Sequence, residues 1–166
     1  MTPRPGDLVV GRWGARFLGR RFPCAVGRGG IGEKRREGDG VTPRGVHRIE
    51  LVLRRGACGT GGGAPARRIG PFDGWSDDPA DPAYNRMVRR PHPFSHEALL
   101  RPDGLYDLAA VLDWNRGPVA PGRGSAIFLH VWRRPRFPTA GCIAFAREDL
   151  AWILARWTPR SRVVAG

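Results

Sequence analysis

The chain has 166 residues, a formal net charge of +13 and 41% hydrophobic residues, with 24 glycines, 16 prolines and six tryptophans. That length supports one hydrophobic core, and the apolar content excludes a wholly disordered chain. No run approaches the roughly 18 apolar residues of a membrane span.

Leu8-Val9-Val10 and Ala15-Arg16-Phe17-Leu18 are predicted as short strands joined by a glycine-containing turn, a hairpin. Phe22 to Val26 is a further apolar strand, ended by a loop from Gly27 to Gly32. Residues 33 to 45 are charged and glycine-rich without an apolar period, which predicts a loop. Val46 to Leu53 places Val46, Arg48, Glu50 and Val52 on one parity and His47, Ile49, Leu51 and Leu53 on the other, a strand pattern. Gly56 to Ala66 is of low complexity and is expected to be mobile. Pro71 to Pro93, with its aromatic, Asp, Asn and Pro content, reads as ordered but irregular. Tyr106 to Trp114 has helical propensity, but Asn115-Arg116-Gly117-Pro118 stops it abruptly, which favours a strand. Ser125 to Val131 is a central buried strand. Ala146 to Trp157 is the clearest helix: acidic residues in its first turn, apolar positions at helical spacing, and Pro159 beyond its end. Ser161 to Ala165 adds a last strand. The fold class expected is mainly β, a bent sandwich or partial barrel carrying one C-terminal helix, with residues 1–166 as one domain.

One stretch carries chemistry. Ile127-Phe128-Leu129-His130-Val131 ends an apolar run on a histidine, and Cys142 follows twelve residues later in Thr139-Ala140-Gly141-Cys142-Ile143. A thiol enzyme needs an imidazole fixed at the end of a buried strand and a thiol within its reach. An imidazolium partner lowers a thiol pKa from roughly 8.5 toward neutrality and so supplies the thiolate nucleophile. Gly141 permits close backbone approach, so that consecutive amide N–H groups can point at a developing oxyanion. The competing reading is a buried structural cysteine beside a core histidine.

The wording of this stretch resembles the L,D-transpeptidases of the YkuD type. The likeness continues in Gly27-Arg28-Gly29-Gly30-Ile31 and in Lys34-Arg35-Arg36-Glu37-Gly38-Asp39-Gly40-Val41-Thr42-Pro43-Arg44-Gly45. It returns in Gly74-Trp75-Ser76-Asp77-Asp78, Tyr84-Asn85-Arg86, His96-Glu97 and Gly104-Leu105-Tyr106-Asp107, so that it covers roughly Asp7 to Trp157. It also supports a strand at Tyr106 to Trp114. The chain departs from the common pattern where Ala140 replaces an inner histidine and Ala144 a polar residue, and in a shorter interval between histidine and cysteine.

The resemblance implies that Cys142 attacks an L-to-D amide of a peptidoglycan stem peptide, with His130 as base and the Val131 carbonyl orienting the imidazole. A thioester acyl-enzyme would then pass to an acceptor amine. It implies carbapenem β-lactams as inhibitors and no metal or organic cofactor. An L,D-carboxypeptidase or muropeptide amidase using the same nucleophile remains an alternative, as does a non-catalytic basic module for wall polymer or nucleic acid. Trp75, Tyr84, Asn85 and Arg86 are candidate substrate contacts, or they pack a loop. Arg133, Arg134 and Arg136 lie between base and nucleophile and are suited to bidentate carboxylate contacts, or they form a solvated turn. Thr139 is counted with the substrate contacts.

Lys34 is the only lysine, so the charge is almost wholly arginine, spread in pairs such as Arg20-Arg21 and Arg89-Arg90. No helix-turn-helix, zinc-finger or aromatic RNA-binding signature accompanies it, so no specific nucleic acid is expected. Cys24 and Cys58 could pair in a disulfide, but no cysteine pair has zinc spacing. His92 and His96 with Glu97 do not make the His-Glu-x-x-His signature, and Pro93 opposes a helix there, so no metal site is expected. Gly38-Asp39-Gly40 lacks the ending of a phosphate loop and reads as a structural turn. The resemblance implies the periplasm or cell envelope. No apolar leader is visible after Met1-Thr2-Pro3-Arg4-Pro5-Gly6, which keeps the cytoplasm as the alternative.

Overall fold

The computed structural model describes residues 2–56 and 62–166. Among the described residues, sixteen strands and one helix follow in order, beginning with β1 (Leu8–Gly11), β2 (Gly14–Phe17), β3 (Arg20–Phe22) and β4 (Cys24–Ala25). Next come β5 (Ile31–Gly32), β6 (Thr42–Pro43), β7 (Gly45–His47), β8 (Ile49–Arg54) and β9 (Ala66–Arg68). The third group is β10 (Asp73–Ser76), β11 (Met87–Arg89), β12 (His96–Ala98) and β13 (Leu108–Leu112). The last is β14 (Phe128–Val131), β15 (Ile143–Phe145), α1 (Arg147–Ala155) and β16 (Val163–Ala165).

Two sheets dominate. One runs β3-β2-β1-β16-β7 and the other β4-β15-β14-β13-β8-β9, and neither closes into a barrel. The expected mainly-β architecture with one C-terminal helix is therefore present, and so is the N-terminal hairpin, with Val10 opposite Ala15.

Two predicted strands turn out to be bent between the sheets. Phe22 to Val26 divides at Pro23, which has no N–H for a ladder: Phe22 pairs in the first sheet and Cys24 in the second. Val46 to Leu53 divides at Arg48, whose N–H goes to Asp113 Oδ1 at 3.0 Å instead of to a neighbouring strand. β7 then joins the first sheet and β8 the second. These two crossings make the bend of the sandwich.

Other differences are local. β5 and β6 pair in parallel where loop was expected, and β10 and β11 form a hairpin inside the irregular segment. In the low-complexity stretch expected to be mobile, residues 57–61 lie outside those described. Beyond them Gly63 donates to the Trp157 carbonyl at 2.7 Å, and Ala66 pairs with Val52. Cys58 is among the undescribed residues, so its pairing with Cys24 falls outside the description as well.

The six-stranded sheet separates two apolar layers, because side chains alternate across it. One face buries Val52, Leu108, Ala110, Leu112, Leu129, Ile143 and Phe145 against the first sheet and α1. The helix contributes Leu150, Ile153 and Leu154, all fully buried, each worth on the order of 2 kcal/mol. Glu148 and Asp149 in its first turn suit the positive end of the helix dipole. The opposite face presents Leu53, Ala109, Val111, Phe128 and Cys142, packed with Trp75 and Tyr106. Trp75 stands edge-on to Phe128 at 5.0 Å between centroids. Strand parity thus decides which residues face the helix and which face the site.

Candidate active site

β14 and β15 run parallel, with Leu129 opposite Ile143 and His130 opposite Ala144. Cys142, two residues before Ala144, shares its parity, so thiol and imidazole project from the same face of the sheet. Both line a cavity of about 860 Å³. His130 is 4% exposed and Cys142 8%, which leaves each almost entirely out of water.

The His130 ring is oriented by its own strand. Nδ1 lies 2.7 Å from the Val131 carbonyl, and a carbonyl can only accept, so the proton is assigned to Nδ1 and the lone pair to Nε2. Tyr106 stands edge-on to the imidazole at 5.6 Å. Burial pulls the imidazole down to about 4, with the Val131 contact working in the other direction.

The thiol of Cys142 donates to the Ala126 carbonyl at 3.0 Å and accepts from the Phe128 N–H at 3.4 Å. Burial pushes it up to about 12, and the Phe128 N–H offsets only part of that. Burial therefore works against the thiolate–imidazolium pair expected from the sequence, because desolvation disfavours both charged forms.

The turn that delivers Cys142 is held by two hydroxyls. Thr42 Oγ1 accepts the Gly27 N–H at 2.8 Å and donates to the Gly141 carbonyl at 2.8 Å. Thr139 Oγ1 donates to the Cys142 carbonyl at 2.6 Å and accepts the Gly141 N–H at 3.1 Å. Gly141 has φ +143°, and a β-carbon there would come 3.0 Å from the Val41 carbonyl oxygen. The Gly141 N–H, expected from the sequence to face an oxyanion, is thus already engaged by Thr139.

Of the predicted contacts, Arg133 and Thr139 line the cavity with Cys142 and His130. Trp75, Tyr84 and Asn85 are buried behind its wall. Asn85 Oδ1 accepts from Trp75 Nε1 and from the Ala126 N–H, both at 3.0 Å, and its Nδ2 donates to the carbonyls of Trp114 and Asn115. The Tyr84 hydroxyl accepts the Gly124 N–H at 3.0 Å and donates to Glu37. These three shape the 124–126 segment that offers its carbonyl to Cys142, and they do so by packing. Arg86 is exposed and away from the cavity. Arg134 stacks over Phe137 at 4.2 Å, and Arg136 donates to the Trp13 carbonyl at 3.3 Å and lines a separate cleft.

Several cavity residues escaped the sequence reading. Lys34, 4% exposed, is held by Asp39 at 2.7 Å. Glu97 accepts from the Tyr106 hydroxyl, and burial raises its carboxyl. Glu37 and Asp77 complete an acidic side. Lys34 stood out in the sequence as the lone lysine among arginines, and Glu37, Asp77 and Glu97 lay in the stretches that carry the resemblance without an assigned role. Elsewhere, His92 Nε2 meets Asp81 at 2.6 Å and His96 Nδ1 meets the Phe94 carbonyl at 2.7 Å. Cys24 is buried in the main core, where desolvation pushes its thiol up to about 11. Among the described residues no cluster of His, Cys, Asp and Glu could hold a metal ion, and no helix is long and apolar enough to cross a membrane.

Comparison with known proteins adds one finding. The family model described as the L,D-transpeptidase catalytic domain, YkuD, matches residues 13–164. No curated protein and no solved structure matches the chain.

Proposed function

The chain belongs to the YkuD family of L,D-transpeptidase catalytic domains, and on that premise we propose that it is a cysteine acyltransferase acting on peptidoglycan stem peptides. The observation that carries the reading is the shared cavity of Cys142 and His130, with the imidazole tautomer set by Val131.

In the proposed reaction, the unprotonated Nε2 of His130 takes the Cys142 proton as sulfur attacks the carbonyl carbon of an L-to-D amide. In this reading burial keeps both groups neutral before attack, so proton transfer accompanies it, which is general-base catalysis. The tetrahedral adduct collapses with cleavage of the C–N bond, and the leaving amine takes the proton from His130. A thioester on Cys142 remains. An acceptor amine then attacks it, loses a proton to His130, and releases the thiol. Glu37, Asp77 and Glu97 on one side of the cavity suit the ammonium group that such an amine carries before it reacts. Arg133, in the cavity lining, would hold a substrate carboxylate, whereas the Thr139 hydroxyl is spent on its own turn and gives its proton to the Cys142 carbonyl. The site is proposed to lie in the cell envelope, where the polymer is.

Incubation with tetrapeptide-bearing muropeptide, followed by intact-mass analysis, tests this. Expected are an acylated Cys142 and a released terminal D-residue, with cross-linked product when an acceptor amine is supplied. Hydrolysed product alone, in the presence of acceptor, identifies a carboxypeptidase instead. Absence of both adduct and released residue overturns the proposal.

A further inference from the structure

The environment of Lys34 is unusual for a lysine. Its side chain is 2% exposed, yet it lines the cavity that holds Cys142 and His130. Burying a charge costs several kcal/mol per ion unless it is paired, and the structure provides the pairing. Nζ lies 2.7 Å from Asp39 Oδ1. Asp39 in turn accepts the N–H groups of Val41, Arg35 and Arg36 at 2.9, 2.9 and 3.2 Å. Burial alone would raise the Asp39 carboxyl, but Lys34 and these amides outweigh it and hold it well below the usual carboxylate range. The Asp39 charge is therefore shared among four donors. The ammonium keeps two N–H groups beyond the one given to Asp39.

Gly124 makes room for it. A β-carbon at Gly124 would lie 2.1 Å from Lys34 Cε, and one at Gly141 would lie 3.5 Å from Nζ. The lysine passes over Gly124 and ends beside Gly141, next to the nucleophile. At that place the Gly141 N–H already goes to Thr139 Oγ1 and does not face an oxyanion.

We infer that Lys34 is a catalytic residue whose ammonium donates to the oxyanion formed when Cys142 attacks a carbonyl. The inference rests on the acyl-transfer reading above. The carbonyl oxygen gains a full negative charge beside a preorganised cation that is itself almost out of water, where screening is weak. Asp39 holds Nζ in place before substrate arrives.

Two reagents separate this role from a structural one. p-Nitrophenyl acetate acylates a thiol through a tetrahedral oxyanion, whereas iodoacetamide alkylates it by direct displacement without one. Lys34→Met should slow acylation of Cys142 by about 100-fold or more. Iodoacetamide labelling should fall far less, and Lys34→Arg should recover part of the acylation. Should Lys34→Met fail to fold, Lys34→Gln carries the same comparison, since its amide still donates toward Asp39 without the charge. Equal losses toward both reagents would overturn the inference, because the lysine would then act on the thiol alone. So would ester reactivity within about tenfold of wild type. Wild-type protein that alkylates at Cys142 but never acylates would remove the acyl-transfer reading itself, and the role of Lys34 with it.

Discussion

The hydroxyl of Thr42 donates to the carbonyl of Gly141 at 2.8 Å, joining two segments 99 residues apart in the chain. The same oxygen accepts the Gly27 N–H, so one buried side chain fastens the Gly-rich loop and the turn before the nucleophile together. Thr42→Val keeps the shape and removes the hydroxyl. Two buried backbone groups lose their partner, which should lower stability by about 1–3 kcal/mol. Turnover should fall as the Cys142 turn loosens. Denaturant melts and steady-state rates check this, and an unchanged melt would show that the turn does not depend on Thr42.

Cys142→Ala should abolish turnover and leave the fold nearly intact. The thiol's hydrogen bonds go to the Ala126 carbonyl and from the Phe128 N–H, and sulfur hydrogen bonds are weak. Circular dichroism and a muropeptide assay read the two effects separately. Residual activity above a few per cent of wild type would dismiss the thiol as nucleophile.

His130→Ala should cost turnover about 100- to 10,000-fold through loss of the general base. Iodoacetamide labelling of Cys142 should behave differently. Burial, which holds the thiol at about 12, is the main cause of its weak acidity. The labelling midpoint should therefore lie above the ordinary thiol value of 9.0 in wild type and remain there in the variant. A wild-type midpoint near neutrality would establish a resting ion pair instead.

Stability should vary with pH in two windows. The His130 imidazole falls from 6.5 to about 4 on folding, so between those values the unfolded chain binds the proton first. Unfolding free energy should then decrease as pH drops from 6.5 toward 4. Cys24 and Cys142 are raised from 9.0 to about 11 and about 12, so above pH 9 the unfolded chain ionises first and stability falls as pH rises. Cys142→Ala should remove part of the alkaline loss and none of the acid loss. Melting temperatures across pH 4 to 11 would show it, and an unaltered alkaline limb in the variant would contradict the burial argument.

Carbapenems should acylate Cys142, because a strained β-lactam carbonyl resembles the scissile amide. One added ligand mass is expected on the peptide containing Thr139 to Arg147, and none in Cys142→Ala. Cys24, buried in the main core, should stay unmodified. Ala140 and Ala144 line the cavity without polar atoms, so the step should be slow. An adduct on another cysteine, or inertness in a preparation that turns over muropeptide, would refute the assignment.

By itself the sequence determined the elements whose signal is local. Leu8 to Phe17 alternates around a glycine turn, Leu108 to Leu112 is cut off by Asp113 to Pro118, and Leu150, Ile153 and Leu154 recur at helical spacing. It also singled out His130 and Cys142, since an apolar strand ending on histidine and a Gly-Cys turn are short-range patterns. Tertiary structure alone decided what depends on long-range contact. Whether Val46 to Leu53 is one strand or two turns on Asp113 taking the Arg48 N–H. Whether Trp75, Tyr84 and Asn85 face the cavity or support its wall turns on Asn85 finding carbonyls 29 and 30 residues away. The push of burial against the charged forms of Cys142 and His130 likewise follows from the packing of the second apolar layer and leaves no trace in residue order. Lys34 shows the division most clearly. Its identity stands out in the composition, but its place beside Gly141 exists only because Asp39 pairs with it and Gly124 leaves the space.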